Sequence, residues 1–176
     1  MNNSLPNLSL ILGGAAAGKS TFAESLVQSN SVSKTYIATA RILDAEIDAK
    51  VQKHQAARGP NWETIEAPID VPAALANLTV NDSVLIDCAT MWLTNHLLDG
   101  SDLVTAQAGL LAALRACPAP IVIVSNEVGQ GIVPINALAR QFREAQGGLN
   151  ATLAEAADLV VFVTAGLPQV LKGTLP

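Results

Sequence analysis

Aromatic side chains are scarce in this 176-residue chain, at 3% of the residues. That scarcity argues against the stacking platforms on which single-stranded nucleic acids are held. Charged residues reach only 14%, and acidic ones outnumber basic ones by fifteen to ten, for a net charge of −5. Wholesale binding to nucleic acid or to anionic lipid is therefore not expected, although a local basic pocket is compatible with it. The two cysteines, Cys88 and Cys117, are too few for a disulfide framework or a four-cysteine zinc site. Both stand among apolar neighbours and read as small core residues of a reducing compartment. No apolar run reaches the roughly 18–20 residues that a spanning helix requires. The first residues carry no positive side chain, and the apolar run that follows breaks at Gly13-Gly14, so no signal peptide is expected. A cytoplasmic protein without a membrane span is the expectation.

What is abundant is apolar surface. Half of the residues are hydrophobic, the opposite of a disordered composition, and the length fits one domain over residues 1–176. Leu8–Leu12, Thr35–Ala38, Trp62–Ile65, Val84–Asp87, Ile121–Val124 and Leu159–Val163 read as short strands. Helical patterns fall between them: Lys19–Gln28, Asp44–Arg58, a turn begun by Pro72 and running to about Leu78, residues 90–98 and 102–116, and Ile135 to about Ala157. Gly147-Gly148 marks a candidate break in the last of these. Alternation of strands and helices, with several strands apolar throughout, predicts an α/β fold: a mainly parallel sheet with helices on both faces. Ligands of such sheets sit at the carboxyl ends of the strands, here near Gly13, Thr39, Asp87, Ser125 and Thr164.

One motif gives those strand ends a chemistry. Gly13-Gly14-Ala15-Ala16-Ala17-Gly18-Lys19-Ser20 fits the phosphate loop G-x-x-x-x-G-K-[ST], between a strand and a helix as that loop requires. Its glycines let successive N–H groups turn inward on a phosphate, and the helix N-terminus adds partial positive charge. Lys19 is placed to meet the β- and γ-phosphates, and the Ser20 hydroxyl to ligate Mg²⁺. Asp87, ending an apolar strand, is the candidate carboxylate of the same metal shell. Together these predict a P-loop NTPase that uses a nucleoside triphosphate with Mg²⁺. They do not separate a kinase from an ATPase or a switch.

Of two histidines, His54 shares a helical face with Ile47, Val51 and Arg58, with Lys50 one turn away. Nearby cations disfavour imidazolium and keep the ring neutral and nucleophilic. On composition alone, a lone helix histidine is a partly exposed structural residue. His96 has no charged neighbourhood and reads as structural.

Several stretches then converge on one family: Tyr36-Ile37-Ala38-Thr39-Ala40, the run Ala49 to Gly59 around His54, Trp62 to Pro68, and Leu85 to Asn95. The longest is Ser125-Asn126-Glu127-Val128-Gly129-Gln130-Gly131-Ile132-Val133-Pro134, continued by Asn136 to Arg140 and Phe142-Arg143. The chain closely resembles the bifunctional adenosylcobinamide kinase/adenosylcobinamide-phosphate guanylyltransferases of cobalamin biosynthesis, from about residue 9 to 172. The resemblance implies a RecA-like sheet and a homotrimer. It also implies two reactions: ATP or GTP phosphorylates the aminopropanol hydroxyl of adenosylcobinamide, and GMP then passes from GTP, through a guanylylated histidine, to adenosylcobinamide phosphate. His54 matches that nucleophile. The GTP contacts match Gly13–Ser20, Thr39, Ala40 and Arg41, Gln55, Ala56, Ala57 and Arg58, Glu66, and Asp87. The chain departs from the family pattern at Ala16-Ala17, where Arg-Ser is common, at Ile135, where a Glu often stands, and at Gly148, where an Arg is common. A cradle of N–H groups and Lys19 survives the loop changes. Two rival readings remain: a small-metabolite kinase without guanylyl transfer, and a P-loop regulatory module that turns nothing over. Neither rival needs a histidine between Lys50 and Arg58.

Overall fold

The six segments expected as strands form one sheet, and a seventh strand joins them. The computed structural model describes residues 4–29, 33–41 and 61–176. Its strands are β1 (Leu8–Gly13), β2 (Ser33–Ala38), β3 (Trp62–Glu66), β4 (Asp82–Asp87), β5 (Ile121–Asn126), β6 (Leu159–Thr164) and β7 (Leu167–Lys172). The helices among the described residues are α1 (Lys19–Gln28), α2 (Val71–Leu75), α3 (Ala89–Leu98), α4 (Leu103–Ala116) and α5 (Ala137–Ala156). The expected helix over Asp44–Arg58 lies outside the described residues. In space the strand order is β3-β2-β4-β5-β1-β6-β7. All neighbours are parallel except β6 and β7.

The strand period of two splits the core. Leu8, Leu10, Leu12, Ile121 and Ile123 face a cluster with Trp92, Leu110, Leu149 and Leu153, supplied by α3, α4 and α5. Ile11, Val122, Val124, Leu159, Val161 and Val163 face the other way, onto Ala23, Leu26 and Val27 of α1. Each such side chain, fully withdrawn from water, contributes about 1.5–3 kcal/mol. Burial on both faces is why these strands are apolar throughout.

Two expectations are corrected, and one stretch without an expectation gains a structure. The helix begun by Pro72 ends at Leu75, not near Leu78, and the Asp70 side chain caps it by accepting from the Ala73 N–H at 3.0 Å. Gly147-Gly148 does not break α5, which runs unbroken for 20 residues from its Asn136 cap. Its buried Gln146, Leu149, Asn150 and Leu153 lock the helix to the sheet on either side of the glycines. Packing outweighs the roughly 1 kcal/mol that each glycine costs a helix. The tail beyond Gly166, with no assignment from sequence, forms β7. Ala165 and Gly166 both have positive φ, 52° and 78°, as a two-residue hairpin turn of the primed kind requires. Pro168 is tolerated because β7 is an edge strand.

Candidate functional site

The loop predicted to hold phosphate curls at the carboxyl end of β1. Two close approaches explain Gly13 and Gly18. A Cβ on Gly13 would stand 2.3 Å from the Val163 carbonyl oxygen of β6. One on Gly18, at φ 96°, would stand 3.2 Å from the Gly166 Cα. The β6–β7 turn thus buttresses the loop, and the Gly166 N–H donates to the Ala17 carbonyl at 2.8 Å. Gly18 ends the loop, and the first N–H groups of α1 have no preceding turn to bond. They open onto a cleft of about 540 Å³ lined by Ala15–Thr21, Asp87, Cys88, Val124 and Asn126.

Lys19 is not exposed, as its loop position suggests, but 7% accessible. Its Nζ donates to the Gly14 carbonyl at 2.6 Å, which holds the ammonium inside the curl. Burial pushes its pKa below the usual lysine value, and the neighbouring Cys88 and Asp87 oppose that shift electrostatically. The Cys88 thiol is itself pushed up to about 11, chiefly by burial and next by Asp87. The thiol is therefore neutral at pH 7. Cys88 is buried as expected, whereas Cys117 is only half-buried.

Asp87 stands at the end of β4, in register with Val124 of β5 and Ala38 of β2. Its Oδ2 accepts from the Tyr36 hydroxyl at 3.1 Å. The turn after it is fixed by Thr39, which is fully buried. The Thr39 hydroxyl accepts from the Cys88 N–H at 2.6 Å and donates to the Cys88 carbonyl at 2.7 Å.

The structure brings Gly13–Ser20 and Asp87 to one cleft. Thr39 braces the back of that cleft through Cys88, whereas Ala40, Arg41 and Glu66 are not among its lining residues and lie at or just beyond the ends of β2 and β3. Those strands are three and four steps from β1, about 14–19 Å at the usual spacing. Arg41 donates to Asp99 from both terminal guanidinium nitrogens, Nη1 and Nη2, at 2.7 and 2.5 Å. Glu66 is exposed and borders a separate apolar hollow with Pro68 and Ala73. His54, Gln55, Ala56, Ala57 and Arg58 lie outside the described residues. His96 is buried edge-on against Trp92, with ring centroids 4.5 Å apart, as a structural residue would be.

Sequence reading missed two parts of this region. Tyr36 reaches Asp87 only because β2 and β4 are neighbours. Asn126 enters the cleft only because β5 lies between β4 and β1. Glu127 binds its own loop, its Oε1 accepting from the Gly129 N–H at 2.5 Å. Arg143 holds the Gly129 carbonyl, and Arg140 those of Pro134 and Ile135.

A family model described as cobinamide kinase / cobinamide phosphate guanyltransferase matches residues 9–171. The chain belongs to this family. It is 41% identical to the bifunctional adenosylcobalamin biosynthesis protein CobP of Pseudomonas aeruginosa, over 93% of this chain and 96% of that protein. The protein CobU of the same description from Salmonella typhimurium is 39% identical, over 93% and 98% of the two chains. Among solved structures, the ATPase EscN of the enteropathogenic Escherichia coli type III secretion system aligns with TM-score 0.60 at 11% identity. That match covers 97% of this chain and 48% of EscN. The flagellar accessory protein FlaH of Methanocaldococcus jannaschii aligns with TM-score 0.53 at 13% identity, covering 98% and 81%. At such identities the likeness is one of fold, and it places this member of the family on a P-loop, RecA-like sheet.

Proposed function

We propose that the chain performs both reactions of its family within one domain. It phosphorylates adenosylcobinamide with ATP or GTP, then transfers GMP to adenosylcobinamide phosphate. The observation that carries this reading is the family match over residues 9–171, which takes in the loop, Asp87 and His54 alike. In the first reaction the loop N–H groups and Lys19 hold the triphosphate, and the acceptor hydroxyl attacks the γ-phosphorus as the nucleoside diphosphate leaves. Mg²⁺ fits the residues present. It is usually held by one or two protein oxygens together with phosphates, and Asp87 and Ser20 supply such a pair beside the loop. The ion would neutralise charge developing on the phosphates.

In the second reaction a neutral His54 imidazole attacks the α-phosphorus of GTP and pyrophosphate leaves. A phosphate oxygen of adenosylcobinamide phosphate then attacks the same phosphorus, and the P–N bond breaks. Arg41 adjoins the chain segment that carries His54, and Glu66 ends β3 beside the end of β2, in register with Ala38. With Ala40 and Gln55–Arg58 we assign them to this half, with Thr39 as the brace of the turn beside it. A homotrimer follows from the same resemblance. The exposed Ile132 and Ile135, at 97% and 99% accessibility, support it as surface suited to a second copy.

Two GTP samples, one labelled in the base and one at the γ-phosphate, test the reading. We expect γ-label on the corrinoid alcohol, and base label first on the protein and then on the corrinoid. Base label found on neither would leave the kinase alone. Neither label transferred would leave a nucleotide-binding module.

A further inference from the structure

Asn126 is the last residue of β5, and β5 runs between the strand that carries the loop and the strand that carries Asp87. It pairs in register with Gly13, the first residue of the loop. Two residues earlier, Val124 pairs with Asp87. The ladder with β4 stops there, so the polar backbone of Asn126 on that side needs other partners. Side chains provide them. The Asn126 N–H donates to the Thr90 hydroxyl of α3 at 2.8 Å, and its carbonyl accepts from Asn150 Nδ2 of α5 at 3.0 Å.

Asn150 is oriented in turn. Its Oδ1 accepts from the Ser125 hydroxyl at 2.6 Å and from Gln146 Nε2 at 2.9 Å, so its Nδ2 is left to face Asn126. Gln146 Nε2 also donates to the Ser125 hydroxyl at 2.9 Å. Thr90, Ser125, Gln146 and Asn150 are all buried. A buried polar cluster fixes a unique geometry through the bonds it makes, and here every bond named above is made while only the Gln146 Oε1 lacks a partner among the described residues. What it fixes is the peptide of Asn126.

The Asn126 side chain points the other way. Alternation along β5 puts Ile123 and Ser125 on the α5 face, and Val122, Val124 and Asn126 on the α1 face, with the loop. The carboxamide lines the cleft and makes no hydrogen bond to any described residue.

We propose that Asn126 Nδ2 donates to the terminal phosphate of the nucleotide in the loop and so distinguishes a triphosphate from a diphosphate. Thr90, Ser125, Gln146 and Asn150 are its positioning residues. This rests on the loop being the nucleotide site. The carboxamide is neutral, so it adds direction without the charge that Lys19 already brings. A donor aimed at the phosphate being transferred also stays with it as charge shifts.

The test is the ratio of affinities for a non-hydrolysable guanosine triphosphate analogue and for GDP, measured by calorimetry with Mg²⁺. Asn126→Ala should weaken the triphosphate by about ten- to a hundredfold, as loss of a hydrogen bond to a charged group does, and leave GDP within about twofold. Asn126→Asp, which sets a carboxylate against phosphate, should lose more. Gln146→Leu should lose part of the same ratio. Combined with Asn126→Ala it should add nothing further, whereas a purely structural role would lower stability and leave the ratio alone. An unchanged ratio in a folded Asn126→Ala protein overturns the proposal. If Lys19→Ala also leaves both affinities unchanged, the loop assignment falls with it. If Lys19→Ala loses both, the loop stands and the role of Asn126 alone is refuted.

Discussion

The Tyr36 hydroxyl donates to Asp87 Oδ2 at 3.1 Å, joining two adjacent strands at their carboxyl ends. The Tyr36 ring sits edge-on to Trp62, with centroids 6.4 Å apart, so its body is packed while its tip orients the carboxylate. Tyr36→Phe keeps the ring contact and removes the donor. We expect a loss of about 0.5–1.5 kcal/mol in stability. We also expect a several-fold rise in the Mg²⁺ needed for half-maximal kinase rate. Titrating activity against Mg²⁺ checks it, and Asp87→Asn should move the same curve further.

Lys19→Met should abolish nucleotide-dependent turnover, a loss of at least about 2.7–4 kcal/mol in transition-state stabilisation if one phosphate contact is removed. It should not destabilise the fold. The folded protein binds the Lys19 proton less tightly than the unfolded chain does, because burial lowers its pKa. Between the lowered value and the ordinary 10.5 the unfolded state holds more protons, so this group's contribution to stability rises with pH. Below that window the buried charge is a cost that Lys19→Met removes. Denaturant melts of both proteins at neutral and alkaline pH should show the variant's advantage shrinking as pH rises.

Gly13→Ala tests the loop's support. A Cβ at 2.3 Å from the Val163 carbonyl cannot be accommodated without moving β1 from β6. Overpacking of this kind typically costs about 1–3 kcal/mol. A lowered Tm together with weaker nucleotide binding is expected. By contrast, Gly147→Ala and Gly148→Ala enter open space on α5, and each should stabilise by about 0.5–1 kcal/mol in thermal melts.

If His54 is guanylylated, the adduct is a phosphoramidate. Base label from GTP should be lost in acid and survive mild alkali, and His54→Ala should carry none. The kinase step, which needs no protein adduct, should persist in His54→Ala. Kinase activity lost in parallel would mark His54 as part of a shared nucleotide pocket.

Local chemistry determined most of this protein. The apolar β-branched run Ile121–Val124 is buried on both faces, and a strand so composed has no other stable place. The loop Gly13–Ser20 was legible because its spacing serves one local geometry, strand, curl and helix, whatever the rest of the chain does. Asp87 was legible as the polar end of an apolar strand.

Tertiary structure decided what depends on strand order, which no local pattern encodes. Placing β5 between β1 and β4 put Asn126 in the cleft, and placing β2 beside β4 gave Asp87 its tyrosine. The run through Gly147-Gly148 stayed helical because Gln146, Leu149, Asn150 and Leu153 are buried against the sheet, which propensity does not register. The strand β7 is exposed along its length and has no apolar alternation. It exists because β6 offers an edge and Ala165-Gly166 turns the chain back onto it, so that Gly166 comes to rest against the phosphate loop.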